Sequence, residues 1–400
     1  MKLHTALPIA IVGAGMAIHA SPGYSANIQV LHNFCETGSC TRSFANAPLL
    51  MDQAGNLYGT SWSDGAKGKG TVYELIHDSV SGQWTYRVLH DFCSRAHCHD
   101  GSTPDAALVI DTDGNLYGTT IRGGRTDHGV FFRVSAAGKY NVLYSFCPAN
   151  DTCPDGANPS GPLTYVGASS GMPYDGRSAL YGTGEDTNSF DKIFELRRSN
   201  NWHAHAIYSD CCAGGVVMDA VGNLYGIGGP YGSEAVVRLS RSRQKWVQTG
   251  AYSFSEEGYQ PEQPLVVDQK GNVYGTLQHG GQYNDGLIYK LEPVVDTFVF
   301  KDLHDFGNGS GQGVFPFAGL TADGKGNLFG TTYGGGVGHG TVFELSGKIF
   351  QTLYSFCATD GCANGSVPVA GVILDGQGNV YGTTTLGGAN AFGTAFEITP

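Results

Sequence analysis

The chain has 400 residues, of which 41% are hydrophobic and 14% are charged, and its formal net charge is −12. The charged share lies well below the roughly 25% that is usual for soluble domains, and the acidic balance argues against nucleic acid or an anionic membrane as a partner, because both attract basic proteins. Beyond the first residues no apolar run reaches the length of about 18 residues that a membrane-spanning helix requires, so we expect no such span in the mature chain.

The N-terminus has the pattern of a secretory signal peptide. It reads MKLHTALPIAIVGAGMAIHASPGYSA, with a lysine at the second position, an apolar stretch at residues 6–18 and the small residue Ala20 where a signal peptidase can cut. We therefore expect residues 1–20 to be removed, with cleavage as late as residue 26 as the alternative. The remaining chain, 27–400, is predicted to form one secreted or periplasmic domain.

A six-residue phrase recurs along the rest of the chain. Its seven copies are GNLYGT (55–60), GNLYGT (114–119), SALYGT (178–183), GNLYGI (222–227), GNVYGT (271–276), GNLFGT (326–331) and GNVYGT (378–383). The aromatic residue of the phrase returns at a mean interval of about 54 residues, and an internal period of this order is typical of propellers and solenoids.

The second repeat shows what each unit contains. Four short runs rich in Val, Leu, Tyr, Phe and Thr are separated by Gly, Asn and Asp: DAALVID (105–111), LYGTT (116–120), VFFRV (130–134) and YNVLYSF (140–146). Such runs are typical of strands joined by tight hairpin turns. Four antiparallel strands in each of seven units predict an all-β fold, a seven-bladed β-propeller. A solenoid, the alternative, would need longer parallel pairing and shorter units.

The two ends of the chain complement each other. NIQVLHNFC at 27–35 has the pattern of a fourth strand, as in YRVLHDFC at 86–93, whereas GTAFEITP at 393–400 ends after a third strand. We therefore expect the N-terminal strand to complete the last blade. Closure of this kind leaves no open sheet edge in the ring.

These repeats resemble those of the GloVer tandem-repeat family. The resemblance rests on the recurring GN[LV]YGTT…GG…GTVFEL pattern, with LYSF or LHDF at the end of the fourth strand, and it covers about residues 28–400. It implies an exported β-propeller of a bacterial family whose members often carry varied surface anchors. It implies no reaction, because the family has no agreed catalytic motif. Since no anchor segment follows Pro400, we expect a released or periplasmic protein.

The cysteines support export. Four local pairs each follow an aromatic residue at the end of a predicted strand, and we predict that each closes a small disulfide loop: Cys35/Cys40, Cys93/Cys98, Cys147/Cys153 and Cys357/Cys362. Metal binding by such thiolates is the competing interpretation, although zinc sites usually show tighter spacing and four ligands. The adjacent Cys211 and Cys212 break the pattern, and both a bonded and a free state remain open for them.

The candidate functional site lies on the loops that differ between repeats. In a propeller, the loops between second and third strands and the links between blades open onto one face around the central channel, and long loops on a rigid scaffold often carry binding residues. The polar and aromatic candidates on these loops are Asp64, Lys67, Arg122, Asp127, His128, Asp186, His279, Tyr283, Asp285, Tyr333 and His339. Any single one can be an ordinary solvated residue, but three histidines on loops of different blades favour a common site.

Two chemistries fit these residues. For ligand binding the candidates are Asp64, Lys67, Asp127, Asp186, Asp285 and Tyr333. A polysaccharide lyase would use a base from among His128, His279, Tyr283 and His339, with Arg122 neutralising a uronate. A glycoside hydrolase needs two carboxylates about 5–10 Å apart, and no spacing in the sequence selects such a pair of aspartates.

We therefore carry three hypotheses: a binding module for a glycan or another cell-surface ligand, a polysaccharide-degrading enzyme, and a structural or protein-interaction propeller. No catalytic residue is selected, no metal site or cofactor is predicted, and the chain is expected to be a monomer. DTDGN at 111–115 resembles the start of a calcium loop but lacks the remaining ligands, so we predict a turn there.

Overall fold

The computed structural model describes residues 26–35, 47–148, 153–185, 191–209, 211–228, 234–243, 245–309, 311–358 and 360–399. The predicted signal peptide, Cys40 and Asp186 lie outside these ranges. The described part consists of 29 β-strands, turns and a few short 3-10 turns. Within it, no helix has the length and hydrophobicity needed to cross a bilayer.

The strands follow one another along the chain with similar spacing. The first fifteen are β1 (Asn27–Asn33), β2 (Leu50–Met51), β3 (Leu57–Ser61), β4 (Thr71–Asp78), β5 (Gln83–Asp91), β6 (Val109–Ile110), β7 (Leu116–Thr120), β8 (Val130–Val134), β9 (Tyr140–Ser145), β10 (Ala157–Thr164), β11 (Leu180–Glu185), β12 (Asp191–Leu196), β13 (Ala204–Ser209), β14 (Ala213–Met218) and β15 (Leu224–Ile227). The others are β16 (Ala235–Ser242), β17 (Lys245–Ser253), β18 (Gly258–Pro261), β19 (Val266–Val267), β20 (Val273–Gly280), β21 (Leu287–Pro293), β22 (Phe298–Asp305), β23 (Thr321–Ala322), β24 (Leu328–Thr332), β25 (Thr341–Ser346), β26 (Ile349–Ser355), β27 (Ile373–Leu374), β28 (Val380–Thr383) and β29 (Thr394–Thr399).

The strands form seven antiparallel sheets, which we number as blades. Blades one to six are β2–β5, β6–β9, β10–β13, β14–β17, β18–β22 and β23–β26, and in blade five β18 and β19 both pair with β20. Blade seven has the strand order β1-β29-β28-β27. The seven-bladed propeller and its closure by the N-terminal strand are thus confirmed, with Asn27 opposite Thr399 and Asn33 opposite Thr394.

The ring of blades has two different ends. The first strands of neighbouring blades contact each other, as β10 and β14 do, and so surround the central channel. The turns between first and second strands and between third and fourth strands lie at one end of the ring, which we call the turn face. The loops between second and third strands lie at the other end together with the links between blades, and we call this end the loop face.

The polar half of the repeated phrase builds the turn between first and second strands. In blade one, Asp52 Oδ1 accepts hydrogen bonds from the backbone of Ala54 and Asn56, and Oδ2 accepts from the Asn56 side chain and the Tyr58 hydroxyl. The same arrangement recurs around Asp111, Asp219, Asp268 and Asp375, and without the tyrosine around Asp323. One carboxylate therefore fixes each turn, which explains the D-x-x-G-N-x-Y spacing.

The last glycine of the phrase allows close packing between blades. A Cβ on Gly330 would lie 2.5 Å from Cζ of Phe343 on the third strand of the same blade. The fully buried Phe306, at the end of the preceding blade, contacts the Phe343 ring with centroids 5.3 Å apart. This three-residue aromatic joint recurs as Phe34–Tyr73–Gly59, Phe92–Phe132–Gly118, Phe146–Phe194–Gly182, Phe254–Tyr289–Gly275 and Phe356–Phe396–Gly382.

The joint between blades three and four is built differently. The third strand of blade four carries Val237 opposite Gly226, where the other blades carry an aromatic residue. A Cβ on Gly226 would meet Cys212 Sγ at 2.7 Å, and both Cys211 and Cys212 are buried. These two cysteines are bonded to each other. The vicinal disulfide therefore fills the space that an aromatic ring fills at the other six joints.

The small loop disulfides that the sequence predicts are present. Cys93–Cys98, Cys147–Cys153 and Cys357–Cys362 are bonded. Cys35 is also disulfide-bonded, and its predicted partner Cys40 lies outside the described residues.

Changing Gly330 to alanine tests the aromatic joint. The new methyl group would clash with Phe343 and lie 3.1 Å from Leu320, and the Phe343 ring is held in place by Phe306. Overpacking of this kind is expected to lower the free energy of unfolding by about 1–3 kcal/mol, measured by chemical denaturation. Gly324→Ala is the matched control, because no atom lies within 4 Å of a Cβ there and its φ is not positive. An equal loss of unfolding free energy in the two variants would contradict the packing role of the aromatic joint.

A second contact between blades involves the histidines of the fourth strands. The His32 ring stacks on Tyr86 of blade one, with centroids 3.9 Å apart and the planes 1° from parallel. His90 stacks on Tyr140 at 3.5 Å, and His304 on Phe350 at 3.9 Å. Burial lowers the pKa of His32 to about 4 and also lowers the pKa values of His90 and His304. The histidine of the LH-x-F pattern is therefore a neutral packing residue.

Candidate functional site

A recurring backbone contact holds the loop face together. Five residues at the entrances to blades have φ between +47° and +59° directly before a proline: Thr103, Asn158, Gln260, Phe315 and Val367. The Gln260 N–H donates to the Glu234 carboxylate at 2.9 Å. The other four donate their N–H, at 2.8–2.9 Å, to a carbonyl of the preceding blade: Lys69, His128, Asp285 and His339 respectively. Positive φ is uncommon for non-glycine residues and strained for bulky or β-branched ones, and a following proline restricts the backbone further. The contacts therefore fix each loop against the next blade.

His128 and His339 occupy equivalent positions within this contact. Each precedes the glycine before a third strand, and each ring lies beside the disulfide at the end of its own blade. The ring nitrogens lie within 4.8 Å of the sulfurs of Cys147 and Cys153, and of Cys357 and Cys362. Because these cysteines are oxidised to disulfides, each cluster offers a single ordinary metal ligand, which does not fit a zinc site.

His279 occupies a different position. It lies on β20 and pairs with Tyr259 across the sheet, as Arg122 pairs with Ser102 in blade two. Both are close to the first strands and hence to the channel, farther inward than His128 and His339. Within the described ranges, the ring nitrogens of the three histidines do not form a group within 4.8 Å of one another. The structure therefore places them at two separate levels of the loop face.

The aspartate candidates shape their own loops. The buried Asp64 accepts a hydrogen bond from the backbone of Gly65 at 2.7 Å, and Asp127 accepts one from Gly123 at 2.8 Å. The carbonyl of Asp285 takes part in the link contact to blade six. Lys67 and Arg122 are exposed. Tyr283 is also exposed, in the loop between β20 and β21.

An aromatic surface of the loop face lies on blades five and six. The Tyr259 ring stacks on His279 with centroids 4.7 Å apart, and His279 contacts Phe315 at 5.1 Å. The Tyr333 backbone donates to the Phe315 carbonyl at 2.8 Å, and its ring contacts Phe317 at 5.9 Å. We call these five residues the aromatic strip. Tyr259, Phe317 and Tyr333 are 46%, 40% and 48% exposed, so three rings of the strip face solvent.

Three members of the strip were not predicted from the sequence. Tyr259 lies on β18, and Phe315 and Phe317 lie in the link before blade six, whereas the predicted candidates lie in the loops between second and third strands. The signal that locates them is the G-x-x-P pattern, as in GYQP at 258–261 and GVFP at 313–316. This pattern leads each link to the same place beside the channel.

Glu262 is a further residue of this region that the sequence did not single out. It stands after Pro261 where Phe317 stands after Pro316 in blade six, and its N–H donates to the Thr276 carbonyl at 3.0 Å. Burial raises the pKa of the Glu262 carboxyl to about 7. At neutral pH the Glu262 carboxyl is therefore present in both its protonated and its charged form, as is typical of groups that act as catalytic acids or bases.

Comparisons with known proteins agree with this architecture. A family model described as the Gloeobacter/Verrucomicrobia repeat matches residues 13–184 and 212–400, which confirms the resemblance drawn from the repeated phrase. The stretch between the two matches, 185–211, ends where the vicinal disulfide replaces the aromatic joint. No curated protein matches the chain.

Solved structures with the same architecture have very different sequences. A protein from Lactobacillus plantarum is similar with a TM-score of 0.53 and 13% identity, over 86% of this chain and 99% of that one. A chain of a mitotic checkpoint complex is similar with a TM-score of 0.51 and 9% identity, over 100% of this chain and 98% of that one. A puromycin hydrolase is similar with a TM-score of 0.52 and 13% identity, over 86% of this chain and 51% of the hydrolase. At such identities the likeness shows the fold alone.

Proposed function

The chain belongs to the Gloeobacter/Verrucomicrobia repeat family, and on that premise we propose that it is an exported propeller that binds an extracellular glycan at the aromatic strip of its loop face. The observation that carries this proposal is the exposure of Tyr259, Phe317 and Tyr333 in one connected strip beside the channel. The candidates Arg122 and His128 on blade two and His339 on blade six stay predictions for a wider binding surface.

The chemistry of the strip suits a sugar. The C–H face of a pyranose ring is apolar and packs against a flat aromatic ring, while its hydroxyl groups need polar partners at the ring edges. Tyr259 and Tyr333 combine both properties, and His279 adds ring nitrogens between Tyr259 and Phe315. A charged surface is not required for such a ligand, in agreement with the 14% of charged residues in the chain.

Hydrogen bonds fix the backbone at the centre of the strip. Phe315 has a φ of +57°, and its N–H and carbonyl are both bonded, to Asp285 and Tyr333, at 2.8 Å. A ligand therefore does not have to order this backbone, which lowers the entropic cost of binding.

Replacing Tyr333 with alanine tests the proposal. The purified mature chain is run in native gels that contain neutral or uronate-containing polysaccharides, and retardation measures the affinity. Wild-type protein is expected to be retarded by at least one polysaccharide, and Tyr333→Ala to bind it about tenfold more weakly, because a central aromatic contact typically contributes 1–3 kcal/mol. Ile349→Ala is the matched control: it removes a 72% exposed apolar side chain from β26 of the same blade. Equal retardation of both variants, or none of the wild type, would contradict glycan binding at the strip and favour a structural role.

Cleavage of the bound polysaccharide is the second candidate function, and Glu262 favours it. Glu262 directly follows β18, which carries Tyr259, and a carboxyl with a pKa of about 7 can act as a proton donor at neutral pH, as glycan-cleaving enzymes require. The same incubations are followed for new reducing ends and for the ultraviolet absorbance of unsaturated ends. Product that disappears in Glu262→Gln would establish an enzyme, whereas retardation without product leaves a binding module.

A further inference from the structure

A separate pocket lies on the turn face, in the groove between blades two and three. Its volume is about 370 Å³, and its lining includes the three arginines Arg133, Arg177 and Arg198. The whole chain has only 23 lysines and arginines and a net charge of −12. The three guanidinium groups share the pocket with three carboxylates, those of Asp111, Asp113 and Asp175.

Arg133 departs from the repeat. It lies on β8 opposite Tyr117, at the position where four other blades carry glutamate: Glu74, Glu195, Glu344 and Glu397. Blades four and five also carry a basic residue there, but Arg238 donates to Thr249 and Lys290 donates to Glu292. The Arg133 guanidinium interacts with the Tyr117 side chain, and its Nε is buried and has no hydrogen-bond partner among the described residues. Unlike Lys290, Arg133 is therefore not held by a carboxylate.

The other two arginines come from irregular parts of blade three. Its first and second strands are joined by a long insertion instead of the D-x-x-G-N turn of the other six blades. Tyr174 anchors this insertion to blade two: its carbonyl accepts from Thr112 at 2.9 Å and its N–H donates to Ile110 at 3.2 Å. Arg177 follows in the insertion, and Arg198 lies in the 3-10 turn Arg198–Asn200. Three departures from the repeat thus meet in one pocket.

Two of the carboxylates that also line the pocket are occupied by their own turns. Asp111 accepts hydrogen bonds from the backbone of Asp113, from the backbone and side chain of Asn115, and from the Tyr117 hydroxyl. Asp175 Oδ1 accepts three bonds from Arg177 and Ser178, each at 2.8 Å. Within the described ranges, the arginine–carboxylate ion pairs closer than 4.0 Å are Arg87–Glu74 and Arg197–Glu195, so none of the pocket arginines forms one.

We propose that this arginine pocket binds the oxyanion group of a small acidic ligand: a carboxylate, sulfate or phosphate. Guanidinium groups recognise these anions through paired N–H donors, and three of them line this pocket. The volume lies at the lower end of the range for ligand sites, which suits a small acid or one anionic unit of a larger molecule. The pocket is on the opposite face from the aromatic strip and does not depend on the glycan proposal.

Titration of the whole mature chain with sodium sulfate, sodium phosphate and sodium glucuronate tests this site. Heat of binding is measured at constant ionic strength, with chloride as the balancing anion. We expect saturable binding of at least one probe, weakened about tenfold by Arg177→Ala and by Arg198→Ala. Both side chains are exposed, so these variants are expected to fold. Arg125→Ala, an exposed arginine of the loop face, is the matched control.

The outcomes separate clearly. Binding that weakens in Arg177→Ala and Arg198→Ala but not in Arg125→Ala supports the pocket, and the preferred probe identifies the anion. Absence of saturable binding by all three probes, or equal weakening in the control, would overturn the proposal. Loss of binding in Tyr333→Ala would also overturn it, because the anion would then belong to the loop face.

Discussion

Replacing Phe34 with alanine is expected to lower the free energy of unfolding by about 3–5 kcal/mol, the range for truncation of a fully buried aromatic residue. Phe34 ends the strand that closes the ring, and its ring packs against Tyr73 of blade one with centroids 5.5 Å apart. Its N–H also donates to the Gly393 carbonyl of blade seven at 3.1 Å. Phe34 therefore contacts both blade seven, through its backbone, and blade one, through its ring.

Chemical denaturation of the variant, followed by tryptophan fluorescence, measures this loss. Phe306→Ala is the matched control, since Phe306 is equally buried and makes the same joint in the middle of the chain. The two variants should lose similar stability, but only Phe34→Ala should speed amide exchange in β29, the partner of β1. A loss below about 1 kcal/mol for Phe34→Ala, within the usual range of surface changes, would show that closure does not hold the ring.

Acid is expected to weaken the same closure through His32. Burial lowers the pKa of His32 to about 4, whereas the unfolded chain takes up this proton near pH 6.5. As the pH falls from 6.5 to 4, the unfolded state gains a proton that the folded state does not bind, so stability is lost across this window. The contribution of His32 to the free energy of unfolding is fully present above pH 6.5. It amounts to at most about 3 kcal/mol, since each pKa unit corresponds to 1.36 kcal/mol.

The variant His32→Phe isolates this contribution. Phenylalanine can still stack on Tyr86 but has no proton to bind, so its free energy of unfolding should fall less than that of the wild type between pH 7 and pH 4.5. His205→Phe serves as the control, because the His205 side chain is 71% exposed. The same pH dependence in wild type and His32→Phe would show that His32 is not the group responsible.

The architecture could be predicted because each repeat contains its own local signals. The D-x-x-G-N turn and the succession of short apolar runs are visible within single units. The extra strand at the N-terminus and the missing fourth strand at the C-terminus are visible at the two ends of the chain. The aromatic joints were not predictable, although the phenylalanine and the glycine of each joint recur in the sequence. Phe306, Phe343 and Gly330 come from two successive units, and only the arrangement of blades brings their side chains together.

The site was predicted only in outline. The loops between second and third strands supplied His279 and Tyr333, but the same loops supplied His128 and His339, which pack beside disulfides. Tyr259 and Phe317 were not predicted because they lie on β18 and in the link before blade six, outside the loops that supplied the candidates. Their meeting with His279 and Tyr333 depends on pairing between a link and the loop of the same blade, and the sequence does not encode this register locally.

Calorimetric titration with an oligosaccharide cut from a retained polysaccharide tests the central claim most directly. The wild type is compared with the double variant Phe317→Ala/Tyr333→Ala and with the control Ile349→Ala. The account predicts a dissociation constant at least about tenfold higher for the double variant and unchanged for the control, because both removed rings belong to the strip. An unchanged dissociation constant in the double variant would contradict glycan recognition by the strip.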